Sequence, residues 1–386
     1  MRLIIRLLPA VSMLFPLLLH AQEKPDPTAP KTARELGLEI GVMATGKWNA
    51  ITDVTGVKVG HHTLVQGDSV RTGVTVILPH SGNLFQEKVP AAIFVGNGFG
   101  KLAGSTQVME LGNLETPIAL TNTLSVPVAM QALVNYTLRQ TGNESVQSVN
   151  ALVGETNDGW LNDIRGMHLK EEHVFKAIAA ADSGKVAQGN VGAGTGTVCF
   201  NFKGGIGTSS RALPSSLGGY TVGVLVQTNF GGVLQVDGIP VGEIWNQFSF
   251  SNHLQNRVDG SCMIVVATDA PIDASNLERL AKRAFMGLAK TGGIASNGSG
   301  DYVIAFSTYK GNRISHISDN PVQVIQNLSN EGMSPLFMAA IEATEEAILN
   351  SLFMAVTVKG YKGRTISAIP LPKMQQLLKT YHKIPK

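Results

Sequence analysis

The spacing of apolar positions divides the chain into short alternating elements from about residue 51 onward. Val57-Lys58-Val59, residues 73–78 and residues 91–95 are β-branched runs closed by Gly, Pro or His, the pattern of strands. Pro127 opens a helix with Ala129, Leu133 and Val134 on one side, ending near Gly142. Residues 169–181 read as a second helix, stopped by Gly184, and strands over 197–202 and 221–228 follow. The last third is sharper. Residues 263–268 form a continuous apolar run, as expected for a strand buried on both faces. A helix follows, with Asp273 or Ser275 as its N-cap, Leu277, Leu280, Ala281, Ala284, Phe285 and Leu288 on one face, and Gly292-Gly293 at its end. Residues 302–306 form the next strand. Ser334-Pro335 then cap and start a long helix through Phe353, with apolar Phe337, Ile341, Ile348 and Leu352. No repeat, low-complexity tract or linker divides residues 36–386, so a single layered α/β domain is expected.

The beginning of the chain has a different pattern. Arg2 and Arg6 precede an apolar stretch over 7–19, interrupted by Pro9 and Pro16, and Ala21 supplies a small residue for cleavage. The stretch is short for a membrane span. Residues 1–21 therefore read as an export signal and residues 22–35 as a linker. The mature protein is expected in the periplasm or secreted, free of the membrane. Only 15% of residues are charged, against about 25% in an ordinary globular chain, and 42 of 386 are Gly. That balance fits much buried surface and many close turns, as in a thickly layered enzyme or a homo-oligomer. A net charge of +3 without a Lys/Arg run gives no footprint for nucleic acid. Cys199 and Cys262 sit in apolar runs like small core residues, and two cysteines make no disulfide framework.

Several motifs fail on inspection. Gly96-Asn97-Gly98-Phe99-Gly100-Lys101 has the look of a phosphate loop, but Leu102 stands where a magnesium-holding hydroxyl belongs. Gly192-Ala193-Gly194-Thr195-Gly196 runs into a strand and lacks the third glycine spacing of a dinucleotide site. Glu155-Thr156-Asn157-Asp158-Gly159 places its Gly one position early for a calcium loop, and Gly166 stands where a bidentate Glu is needed. His61 and His62 are adjacent and would leave a strand on opposite sides. Neither a metal nor an organic cofactor is implied. No Gly-x-Ser-x-Gly elbow exists either, so a serine hydrolase here needs another way to activate its nucleophile.

Val258-Asp259-Gly260-Ser261-Cys262 offers one, because it sets a hydroxyl behind a glycine at the start of the buried strand. Cutting the chain before Ser261 would free an α-amine with a pKa of about 7.7–8.0, a base for its own hydroxyl. Gly260, without a Cβ, lets the hydroxyl reach its carbonyl and tolerates strained backbone. A Gly-Ser pair before a strand is also an ordinary turn. Cys262 should point away from Ser261 into the core.

Blocks along residues 45–310 resemble the self-processing serine aminopeptidases known as L-aminopeptidase D-Ala-esterase/amidases, which include the β-peptidyl aminopeptidases. They are Asn49-Ala50-Ile51-Thr52-Asp53-Val54 with Gly56-Val57-Lys58-Val59-Gly60-His61, then Gly154-Glu155-Thr156-Asn157-Asp158-Gly159. Residues 191–196 through 202–211 form the longest block, followed by Val226-Gln227-Thr228-Asn229-Phe230-Gly231. Gly260-Ser261-Cys262 with residues 265–271, and Asn297-Gly298-Ser299-Gly300-Asp301-Tyr302, complete the order. The resemblance implies a four-layer αββα sandwich of the N-terminal-nucleophile type, cut between Gly260 and Ser261 into chains 22–260 and 261–386. It implies Ser261 as nucleophile, supported by Ser299 and Asp301, and Asn229 as side-chain donor to the oxyanion. Glu155 would take the free ammonium of a peptide, amide or ester substrate, with Asn157 where some relatives carry a tyrosine donor. Some relatives also have Glu at the place of Asp301. The expected protomer is two-chained and assembles into a homo-oligomer. An acyltransferase using the same exposed nucleophile, and an unprocessed binding protein, are the alternatives.

Overall fold

The computed structural model describes residues 26, 28–249, 260–318 and 320–385. The export signal read at 1–21, linker residues 22–25 and 27, and Val258-Asp259 before the proposed cut lie outside the described residues. The strands are β1 (Lys58–Gln66), β2 (Val70–Leu78), β3 (Glu87–Gly98), β4 (Leu102–Ala103), β5 (Asn113–Leu114), β6 (Ile118–Asn122) and β7 (Leu152–Thr156). They continue with β8 (Val198–Cys199), β9 (Phe202–Lys203), β10 (Ile206–Ala212), β11 (Thr221–Asn229), β12 (Ser261–Thr268), β13 (Gly300–Ser307) and β14 (Ile314–Ser315). The helices are α1 (Ser105–Leu111), α2 (Val126–Leu138), α3 (Glu171–Ala179), α4 (Val241–Ile244), α5 (Ala274–Lys290), α6 (Met333–Phe353) and α7 (Leu371–Thr380).

Two sheets stack face to face. One runs β1-β2-β6-β7-β4, and the other runs β10-β11-β12-β13-β3-β14 with β5 against β3. Alternation along each strand makes the layers. In β12, Met263, Val265 and Ala267 pack between the sheets, while Cys262, Ile264 and Val266 pack under α5 and α6. On the far side, Val74, Val76 and Val153 meet Ala129, Leu133 and Val174 of α2 and α3. The order is therefore helix, sheet, sheet, helix, the αββα sandwich that the resemblance implied. Gln227 of β11 crosses the sheet interface, its Nε2 donating to Thr121 O, Thr156 Oγ1 and Ala193 O at 2.9–3.0 Å. No helix among the described residues is long and apolar enough to cross a membrane.

The apolar patterns locate most elements, and α5 takes the Asp273 cap, whose side chain accepts from Asn276 N. Three of the expected elements take other bounds. The strand expected over 197–202 is a tight hairpin of β8 and β9, because Phe200 and Asn201 take left-handed backbone (φ 51° and 64°). Phe200 N–H donates to Phe230 O at 2.8 Å and its ring packs edge-on against Phe230, so tertiary contact overrides a strand-like sequence. The long helix α6 starts at Met333 with Gly332 as its cap, not at Ser334-Pro335, because a tight turn over Asn330–Gly332 runs straight into it. Helix α3 is shorter than 169–181; Lys170 takes its N-cap and donates to His173 Nδ1 at 3.0 Å.

Candidate active site

Ser261 opens β12 and is aligned with Asn229 at the end of β11 on one side and Gly300 at the start of β13 on the other. Gly300 in turn aligns with Gly98 of β3. The site thus forms where four neighbouring strands begin or end. Ser261 belongs to the alternation that faces the other sheet, in phase with Met263, and is only 6% exposed. Its hydroxyl donates to the Gly260 carbonyl oxygen at 2.6 Å. The Gly300 N–H, placed between them, donates to Ser261 Oγ at 3.2 Å and to Gly260 O at 3.3 Å.

Gly260 is needed for space. A Cβ there would lie 2.7 Å from Phe230 Cα and 3.0 Å from Asn229 O. Asn229 is buried, and its Oδ1 accepts from Val198 N–H at 2.9 Å. Its amide NH2 is thereby turned away from β8.

Ser299 and Asp301 flank Gly300. The loop before β13 is fastened by Asn97, whose Nδ2 donates to the backbone oxygens of Ser296 (3.0 Å) and Ser299, and by Phe99 N–H on Ser299 O at 3.2 Å. Asp301 falls on the helix-side face of β13 with Val303 and Ala305, level with Cys262. Ser299 Oγ and both Asp301 oxygens are buried without a well-formed hydrogen bond among the described residues. Burial pushes Asp301 up to about 6, with the nearby Ser299 hydroxyl and the Cys262 N–H pulling the other way. Cys262 is a buried free thiol in the helix-side core, raised by burial and then by the Asp301 charge, and it faces away from Ser261 as expected.

Glu155 comes from the opposite sheet. It is the fourth residue of β7, beside Thr121 of β6. Its carboxylate is buried and accepts from Lys101 N–H at 3.0 Å and from the Thr123 hydroxyl. The strands approach closely here: a Cβ on Gly100 would lie 3.0 Å from Gly300 Cα and 3.3 Å from Glu155 Oε1. Gly154, one residue earlier, lets the Met263 side chain lie directly on the backbone. The glycine run with the look of a phosphate loop serves this packing, and the Tyr302 hydroxyl closes it on Gly100 O at 2.8 Å. Burial, then the Glu155 charge, raises the Tyr302 phenol. Asn157 is exposed, and its Oδ1 caps its own turn by accepting from Gly159 N–H at 2.9 Å.

The sequence-derived residues Ser261, Asn229, Ser299, Asp301 and Glu155 therefore gather at one corner of the sandwich, while Asn157 lies on its rim. Residue patterns missed the Gly300 N–H, Thr123, Asn97 and Gln227. Asn97 lay inside the rejected glycine run and Gln227 inside a block of the resemblance, neither with a role of its own.

Residues 49–366 match Peptidase family S58. The chain belongs to that family. It is 41% identical over 377 residues to the β-peptidyl aminopeptidase BapA of Sphingosinicella microcystinivorans, covering 91% of this chain and 93% of that protein. Among solved structures, a β-aminopeptidase of a Burkholderia species superposes with a TM-score of 0.83 at 41% identity, covering 91% of this chain and 99% of that one. The L-aminopeptidase D-Ala-esterase/amidase of Ochrobactrum anthropi, described as a prototype for the serine aminopeptidases and a variant of the N-terminal-nucleophile hydrolase fold, gives 0.82 at 34% identity, covering 92% and 99%. This S58 chain is accordingly a peptidase of the serine aminopeptidase class with that hydrolase fold.

Proposed function

We propose that this S58 peptidase cuts itself between Gly260 and Ser261 and then removes N-terminal residues from peptides, amides or esters through an acyl-enzyme on Ser261. The carrying observation is the Ser261 hydroxyl on the Gly260 carbonyl oxygen, with the Gly300 N–H donating to both. Self-cleavage begins when Oγ adds to the Gly260 carbonyl carbon and the C–N bond breaks, the Oγ proton passing to the departing nitrogen. The acyl group then sits on Oγ as an ester and the nitrogen is a free amine. Water opens the ester and releases Gly260 as a carboxylate.

In turnover that amine takes the proton of Oγ as it attacks the substrate carbonyl. The Asn229 amide and the Gly300 N–H donate to the oxyanion, a preorganised stabilisation that needs no proton transfer. Glu155 receives the substrate's ammonium; each of its oxygens keeps a lone pair beyond the bonds from Lys101 and Thr123. Ser299 and Asp301, beside the start of β12, steady the new terminus. The leaving amine departs with the proton and water frees Ser261. The named relatives support β-amino N-termini among the substrates. Export after Ala21 and assembly into a homo-oligomer belong to the same reading; N-terminal sequencing of periplasmic material and light scattering test them.

Denaturing electrophoresis tests the core of the proposal. The wild-type chain should run as pieces of about 25 and about 13 kDa in proportion to length. Ser261→Ala should give one undivided band, and two bands from that variant would overturn it.

A further inference from the structure

Lys203, at the end of β9, has a fully buried side chain. Its Nζ donates to Gly194 O at 2.8 Å and Gly204 O at 2.6 Å, and among the described residues it forms no ion pair with a carboxylate. Burying a cation against carbonyls alone costs several kcal/mol relative to a hydrocarbon of the same shape. The two carbonyls therefore indicate what the ammonium holds. Gly194 ends the turn over Gly192–Gly194, and its oxygen also accepts from Thr197 Oγ1 at 3.1 Å. Gly204 follows β9, and its N–H donates to Thr197 O at 3.2 Å. Lys203 thus ties both arms at the base of the β8–β9 hairpin. Its own Cα is aligned with Val198, the residue whose N–H holds Asn229 Oδ1.

We propose that Lys203 is a positioning residue for the reaction: by clamping Gly194 and Gly204 it sets the Val198 N–H that aims the Asn229 amide at the carbonyl on Ser261. This rests on the reading of Asn229 as an oxyanion donor. Burial lowers Lys203 to about 7, opposed first by the charge of Asp158, itself buried in the turn after Glu155. The clamp survives that titration, because a neutral amine still has two N–H donors for two carbonyls.

A double-mutant cycle tests it, with Lys203→Met and Asn229→Ala assayed on an aminoacyl p-nitroanilide. Each rate is divided by the cleaved fraction on the same gel, and Ser261→Ala serves as the blank. Lys203→Met should lower kcat about tenfold in the wild-type background while KM changes less than about twofold. In the Asn229→Ala background it should lower kcat less than about twofold, because the group it aims is gone. An equal loss in both backgrounds would overturn the positioning role and leave Asn229 in place. An Asn229→Ala enzyme with undiminished kcat would instead overturn the reading of Asn229, and this proposal with it. Should Lys203→Met fail to fold, Lys203→Gln takes its place in the cycle under the same criteria, since it keeps an uncharged donor in the same cavity.

Discussion

Arg211 and Asp301 are both buried in the same sheet, and their surroundings differ in kind. Arg211, on β10, uses its whole guanidinium. Nε donates to Glu342 at 3.0 Å, Nη1 to Ser209 Oγ and Ser210 O, and Nη2 to Ile40 O and Glu346 at 2.7–2.8 Å. Glu346 also holds Arg34 and Asn49, so the cluster fastens the segment before β1 to α6. Among the described residues Asp301, on β13, has neither oxygen in a well-formed bond, and neither does its neighbour Ser299. A saturated buried charge is architecture. Buried polar groups left open at strand ends are where a reaction has room to redistribute charge.

Breaking the saturated region should have the largest effect on the fold. Arg211→Met leaves Glu342 buried without its cation and Glu346 with Arg34 alone, and breaking a buried pair in this way typically costs about 3–5 kcal/mol. Urea unfolding should show that loss, and a midpoint within error of wild type would remove the distinction. At the open corner the loss should fall on rate instead. Asn229→Ala should reduce kcat roughly 10²–10³-fold, the usual effect of losing one oxyanion donor, with the unfolding midpoint little changed.

The smallest effect concerns Asp301 and pH. Its folded value near 6 lies above the ordinary 3.8, so the folded chain binds more protons between those values and loses stability as pH rises through them. Asp301→Asn, made in the uncut Ser261→Ala chain, should therefore stabilise by roughly 1–2 kcal/mol at pH 7.5 and not at pH 3.5. Thermal scans at the two pH values check it; an equal gain at both would mean that titration plays no part.

The same contrast explains what could be read from residues alone. Strand β12 and helix α5 were legible because one is an uninterrupted apolar run and the other has a cap, an apolar face and glycines at its end. Strands β6 and β7 escaped: each is five buried residues long, too short for a period to show. Glu155 was found by resemblance and not by pattern. The periodicity of α6 gave its length but hid that Glu342, Glu345 and Glu346 are buried with its apolar face. Arg211, the partner of Glu342 and Glu346, lies more than a hundred residues away in the chain, and Lys290, the partner of Glu345, lies on another helix. The Gly300 N–H had no sequence signal at all, because every residue but proline carries one and only strand register makes this one special.

That register also governs what a scission would leave behind. Segment 261–386 supplies β12 and β13, and these two are wedged between β11 and β3 of the preceding segment. The pieces would be interleaved like fingers of clasped hands, each closing the other's sheet. Made apart, each would present raw hydrogen-bonding edges to its neighbours and tend to aggregate. A single continuous precursor would keep two such halves together until they are locked.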